Sequence, residues 1–223
     1  MELEKARVIA EDLKSALEWG CERITIAGSI RRCKPEVGDI ELLCIPKYGG
    51  VAGKVNQLDQ AIVDLILNSD LDYRVDKRGR RTYGEKNKFM VHSSGIGVDI
   101  FCADKDNWGM SLVVRTGPAS FCVRLMAHYK SIGCSGHAYG GVTDRNGQEI
   151  ACPTEEDVFR LAGWPYVPPE KRIGSGTHYS DLVERLSTSS SNFRTRRLSV
   201  LSATFSNLSM RRRRSPTFWL SLP

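Results

Sequence analysis

Residues 24–45 read ITIAGSIRRCKPEVGDIELLCI, and the rest of the chain is organised around them. Ile24, Thr25, Ile26 and Ala27 form a short apolar, β-branched run that predicts a buried strand. Gly28-Ser29 stops it with a tight turn at which backbone can approach a ligand closely. Arg31 and Arg32 follow at once. A helical turn starting there would aim free N–H groups and two guanidinium groups at one anion-binding spot. Gly38 then opens a second strand, residues 39–45. Alternation along it puts Asp39 and Glu41 on one face and Ile40 and Leu42 on the core face.

Two carboxylates side by side repel, and one would ordinarily stay protonated. A divalent cation removes the conflict, and oxygen donors of this kind suit magnesium, which keeps waters and substrate phosphates in its shell. A phosphate-cradling turn beside such a pair is the equipment of phosphoryl or nucleotidyl transfer. Asp-x-Glu by itself is equally compatible with a solvent-facing, charged strand edge. The combination narrows the choice. Gly-Ser-x-Arg-Arg followed by Gly-Asp-x-Glu resembles the palm signature of family X DNA polymerases, the group of DNA polymerase beta, within the wider nucleotidyltransferase superfamily.

At 223 residues the chain has ample length for a core, in one large or two small domains. No apolar run approaches the ~20 residues of a membrane span. The charged, helix-periodic N-terminus does not read as a signal peptide. Seven cysteines without a Cys-x-x-Cys pair read as reduced thiols of a cytoplasmic protein, or of a host-cell cytoplasm if phage-encoded. The net charge of +6 is uneven. Residues 174–223 hold eight Arg and no Lys against Asp181 and Glu184, which accounts for all of it. Affinity of the body for nucleic acid must therefore come from local patches.

Along the chain, residues 2–19 carry apolar positions near the 3.6 period and Gly20 closes them, predicting a helix. Residues 51–67 predict a second helix. Residues 73–88 are polar and basic with turn glycines at 79 and 84. Arg78, Arg80, Arg81, Lys86 and Lys88 there are the candidate surface for backbone phosphates. Phe89-Met90-Val91 and Val98-Asp99-Ile100-Phe101 predict paired strands joined around Ser93-Ser94-Gly95. Asp99 lies inside an apolar run, where an unpartnered carboxylate is costly. Asn146-Gly147 predicts a hairpin, and Thr154 predicts a helix cap with acids in the first turn. Residues 164–172 cannot be helical.

The resemblance extends through these segments. It implies that Asp99 is the third metal-binding acid, in a strand beside the Asp-x-Glu strand. It places Gly28, Ser29, Arg31, Arg32, Thr116 and Gly117 around the nucleotide. Val114 and Arg115 stand where the family carries an aromatic pair before Thr-Gly, Cys122 where it carries an Asn, and Met126 where a template-contacting Arg is usual. The family also bends its backbone after this glycine through a cis peptide, and here Pro118 follows, for which that shape is least costly. The segment from Thr154 to Arg172 resembles the end of the family's thumb, with no chemistry assigned to it.

These readings together imply an α+β fold. A nucleotidyltransferase palm, with a mixed or antiparallel sheet and helices on one face, spans residues 1–108. A small thumb-like subdomain spans 109–173, and a Ser/Arg-rich, disordered tail spans 174–223. The implied function is template-directed DNA synthesis of family X type, in gap filling or repair. Asp39, Glu41 and Asp99 would hold two Mg²⁺ ions, with Mn²⁺ able to substitute. The implied partners are dNTP and primer–template or gapped DNA, with a monomer as the working form and no membrane. Two alternatives stay open. One is a nucleotidyltransferase acting on a small molecule, a protein or an RNA end; the other is a catalytically silent DNA-binding module.

Overall fold

The computed structural model describes residues 1–139 and 141–172, so the readings made for 174–223 lie outside the described residues. Helix α1 (Leu3–Leu17) buries Ala6, Ala10, Leu13 and Leu17, one stripe at helical spacing. A 3₁₀ turn ends at Gly20 and leads into β1 (Cys21–Ile26). The short helix α2 (Gly28–Arg31) comes next, then β2 (Asp39–Pro46). A two-stranded ribbon of β3 (Tyr48–Gly49) and β4 (Val55–Asn56) precedes α3 (Gln57–Leu67). The periodicity that predicts a helix from residue 51 is therefore only half expressed. Asn56 accepts from the backbone N–H groups of Leu58 and Asp59, at 3.0 and 3.4 Å, and so sets the helix start at 57.

Strands β5 (Leu71–Tyr73), β6 (Asn87–His92) and β7 (Gly97–Cys102) complete a five-stranded sheet of order β1-β2-β7-β6-β5. Only the central pair, β2 and β7, runs parallel; every other pairing is antiparallel. The sheet is mixed, and the fold is α+β. Its register explains both of its faces. Ile40, Leu42 and Cys44 of β2 and Val98 and Ile100 of β7 point to one side, where α1 and α3 close a core of Leu13, Leu17, Leu58, Ile62 and Met90. On the other side, Leu43, Ile45 and Phe101 meet Trp108 and Leu112 of α4 (Trp108–Thr116). Helices thus cover the whole of one face and the far half of the second. What α4 leaves open is the end that carries Asp39, Glu41 and Asp99.

Beyond α4, the Gly117–Pro118 bond is cis and α5 (Ala119–Ser131) follows. A three-stranded ribbon of β8 (Ser135–His137), β9 (Gly141–Thr143) and β10 (Glu149–Ile150) turns at Asn146-Gly147. The last helix, α6 (Glu155–Leu161), is capped by Thr154, whose side chain and that of Asp157 exchange bonds with each other's backbone N–H. Helices α5 and α6 share an apolar contact of Phe121 and Phe159, with ring centroids 6.1 Å apart. Tyr129 donates its buried hydroxyl to the Val158 carbonyl at 2.6 Å. Residues 164–172 hold no helix beyond one 3₁₀ turn, Pro169–Lys171. No helix among the described residues is long and apolar enough to cross a membrane.

Candidate active site

The open end of the sheet gathers the acids by register alone. On the parallel ladder Glu41 is paired with Asp99, and Asp39 with Gly97, so all three carboxylates share one face of two adjacent strands. The turn after β1 then packs on them. Gly28 has φ +61°, and a Cβ at this position would land on the Glu41 carboxylate. Glycine is required here twice, by the left-handed backbone and by the acid beside it.

Burial first, and then the charges of Asp39 and Asp99, push the Glu41 carboxyl up to about 7 from an ordinary 4.5. Asp99 moves in the same direction, by burial and Asp39, against the pull of Arg74. These are the signs of a pocket that favours added positive charge. The donors are oxygens only, which fits a hard divalent cation. As the side chains stand, no three His, Cys, Asp or Glu residues among those described close on a single point. Asp99 is turned aside, with Oδ1 2.6 Å from Nη2 of Arg74.

Raised acid pKa values carry a stability consequence whose sign is fixed. Between pH 4.5 and about 7 the folded protein keeps a proton on Glu41 that the unfolded chain has released. Stability therefore falls as pH rises through that window. In chelator, Glu41→Gln is expected to flatten this decline and to melt higher than the unsubstituted protein at pH 8. Thermal unfolding of both at pH 5 and pH 8 checks it; an unchanged decline would remove Glu41 as its source.

The basic residues of the turn have different fates. The side-chain oxygen of Ser29 is buried and has no hydrogen-bond partner. Arg32 Nη1 donates to the carbonyl of Thr116, reaching across from α2 to the end of α4. Arg31 points elsewhere. It forks onto both carboxylate oxygens of Glu155, at 2.8 and 2.7 Å, and donates to Thr116 Oγ1 at 2.7 Å. Glu155 also accepts from Arg172 Nη1 at 2.9 Å, and Arg172 is almost wholly buried. Burial alone would raise the Glu155 carboxyl, but the bonds from Arg31 and Arg172 hold it below its ordinary range. The motif turn, helix α6 and the last described residues are thus joined by one buried charge trio. Sequence reasoning missed it, because an acid in the first turn of a helix is expected at the surface.

Arg115, which stands where the resembled family carries an aromatic residue, is held by rings. Its guanidinium lies 3.7 Å from the Phe101 ring centroid and 4.8 Å from that of Tyr139. Nη2 donates to the Tyr139 hydroxyl, which in turn donates to Asn87. Val114 is half-buried beside it. Neither Tyr139 nor Asn87 stood out in the sequence.

Among the candidate phosphate contacts, Lys88 is a correction. The β6–β7 register pairs it with Ile100, so it shares the apolar face. There it is buried, with Nζ 2.7 Å from Asp59 Oδ1 and 2.9 Å from the Gly84 carbonyl. Membership of the basic segment 73–88 suggests an outward side chain, and only the register turns it inward. Arg78, Arg80 and Arg81 are exposed on the turn that follows β5. Arg80 is paired with Asp76 at 2.8 Å, and Arg81 lies over the Tyr73 ring at 4.4 Å. Lys86 sits 5.5 Å from the Tyr139 ring centroid.

Three comparisons bear on this arrangement. Residues 111–173 match the DNA polymerase beta thumb family. DNA polymerase lambda of Rattus norvegicus is 29% identical over 166 residues, which is 65% of this chain and 28% of that protein. This chain thus spans little more than a quarter of that relative. Repair DNA polymerase X of African swine fever virus is 24% identical over 183 residues, 76% of this chain and 97% of that protein. The crystal structure of Leishmania infantum polymerase beta in a ternary P/T complex superimposes with a TM-score of 0.62 at 16% identity. It covers 78% of this chain and 76% of that one. The fold is the polymerase beta fold, and the resemblance to family X DNA polymerases read from the motif turn is borne out.

Proposed function

We propose that the chain is a template-directed DNA polymerase of family X type, with residues 1–108 as palm and 109–173 as a thumb-like subdomain. The observation that carries the reading is the convergence of Asp39, Glu41 and Asp99 on two adjacent parallel strands, under a glycine turn that makes room for one of them. These acids would hold magnesium, which when bound would supply charge neutralisation at the triphosphate and a lowered pKa for the attacking 3′-hydroxyl.

The chain's own groups do the rest. Gly28 lets the backbone of the turn approach a phosphate without a side chain in the way. Ser29, whose hydroxyl has no partner among the described residues, and Arg32 beside it donate to the β- and γ-phosphates in this reading. Arg31 supports the turn through Glu155. Gly117, with φ +67°, lies beside the Arg32 guanidinium and keeps that side of the nucleotide free of a side chain. Arg78, Arg80, Arg81 and Lys86 form the surface for the DNA backbone.

A one-nucleotide gapped duplex, presented with each template base in turn, Mg²⁺ and the four dNTPs, tests the reading. The expected product is the primer extended by the complementary nucleotide. Labelling of an RNA end, a protein or a small molecule in its place would favour the alternative nucleotidyltransferase, which the missing template-contacting residues at 122 and 126 leave open.

Sugar selection follows from the segment before Thr116. No ring stands at 114 or 115 to crowd a 2′-hydroxyl, and Arg115, whose Nη2 bonds Tyr139, keeps further guanidinium N–H groups able to donate to one. A site able to hydrogen-bond a hydroxyl rejects it weakly. Ribonucleotides are therefore expected to be disfavoured by only about 10–200-fold in kcat/KM, the range of a modest steric difference. Arg115→Phe should raise that ratio. Single-turnover incorporation of dGTP and GTP opposite one template base measures it, and stringent rejection of GTP by the unsubstituted protein would contradict the argument.

A further inference from the structure

We infer that Arg74 is a positioning residue that competes with a divalent cation for Asp99. The inference rests on the nucleotidyl-transfer reading of the three acids. Its geometry is a row across three neighbouring chain segments. Arg74 follows β5 directly and donates its backbone N–H to the Phe89 carbonyl at 3.1 Å, and Phe89 is the registered partner of Asp99. All three side chains lie on the face that carries Asp39 and Glu41. The Arg74 guanidinium crosses the Phe89 ring at 4.7 Å from its centroid and ends 2.6 Å from Asp99 Oδ1. Its path is open because residue 97 is glycine. A Cβ there would lie 2.8 Å from Arg74 Nη1.

Two features make this contact a replaceable one. The first is that the contact is single: one guanidinium nitrogen faces one oxygen, Asp99 Oδ1, without the two-point fork that Arg31 makes. The second is exposure: the Arg74 side chain is 36% exposed, and pairs this open to water are weak. The Arg31–Glu155 fork is tighter and drier, with two aligned bonds and side chains 22% and 4% exposed against 36% and 14% for Arg74 and Asp99. Among the described residues no other ion pair reaches Asp39, Glu41 or Asp99. A cation loaded on Asp99 takes the oxygen that Arg74 now faces, and Arg74 moves off over Phe89.

The test is Mn²⁺ binding to the full chain, without DNA or nucleotide, followed by electron paramagnetic resonance. Arg74→Met keeps the stem over Phe89 and removes the charge, and is expected to bind Mn²⁺ about 5–10-fold more tightly than the unsubstituted protein. Arg74→Lys should fall between them. In an Asp99→Asn background the effect of Arg74→Met should vanish, because the shared oxygen is no longer charged. Unchanged or weaker binding by Arg74→Met would overturn the inference, and so would an enhancement that persists with Asn at 99. If neither the unsubstituted protein nor Arg74→Met binds Mn²⁺, the reading of the acids as a metal site fails first, and the inference goes with it.

Discussion

Asp99→Ala is expected to lower nucleotide incorporation by about 10²-fold or more, the usual cost of removing charge stabilisation from a transfer site, with the fold intact. The two halves of that expectation come from the two faces of β7. Val98 and Ile100 point into the main core and keep their places whatever residue 99 is. The ladder to β2 is made by backbone groups, and alanine donates and accepts there as aspartate does. What alanine removes is a carboxyl that burial and Asp39 already make reluctant to ionise. Its loss should leave thermal stability equal or raised, while activity disappears. Asp39→Ala is expected to behave alike. A folded variant of either kind with more than about a tenth of the original turnover would remove these residues from the site.

Glu155→Ala is expected to destabilise the fold by about 3–5 kcal/mol. The figure follows from what would be left behind. Arg172 is buried, lies near the Phe121 and Phe159 rings, and among the described residues would keep only the bond from its Nε to the Val167 carbonyl. Arg31 would lose both bonds of its fork and keep Thr116. An uncompensated buried charge costs far more than the pair contributed while intact. The acid also sets a pH dependence of known sign. Its carboxyl is held below the ordinary range in the folded state, so its stabilisation is present above the unfolded pKa of about 4.3 and is lost as pH falls through the folded value. Urea unfolding at pH 7 measures the first effect, and the same titration repeated toward pH 4 measures the second. A loss below about 1 kcal/mol would mean that the trio is solvated and that the turn does not depend on α6.

Legibility in the sequence divides by the distance over which each interaction is set. The carboxylate face of β2, the turn at Gly28 and the acid at 99 are local patterns, and alternation alone assigns their directions. That the Asp99 strand lies beside the Asp39 strand is not local and entered through the resemblance; that the two run parallel, pairing Glu41 with Asp99, comes from the register alone. Lys88 shows the limit in the other direction. Its basic neighbours suggest a solvent-facing run, but an antiparallel partner at Ile100 turns it onto the core face, where Asp59 of α3 meets it. Arg74 looked like one more member of that run, and only the row through Phe89 gives it a separate role. Glu155 and Arg172 were read as a helix start and a terminator, and their partners lie 124 and 17 residues away in the chain. No period or motif encodes contacts of that range.

The central claim is that Asp39, Glu41 and Asp99 form one nucleotidyl-transfer site. Its most direct test is single-turnover filling of a one-nucleotide gap, with Mg²⁺ and the complementary dNTP, by the unsubstituted protein and by a variant with alanine at all three positions. Circular dichroism and melting of the two proteins fix the comparison to folded material. The predicted result is one complementary nucleotide added by the first and none by the second. Equal addition by both, or none by either, would contradict it.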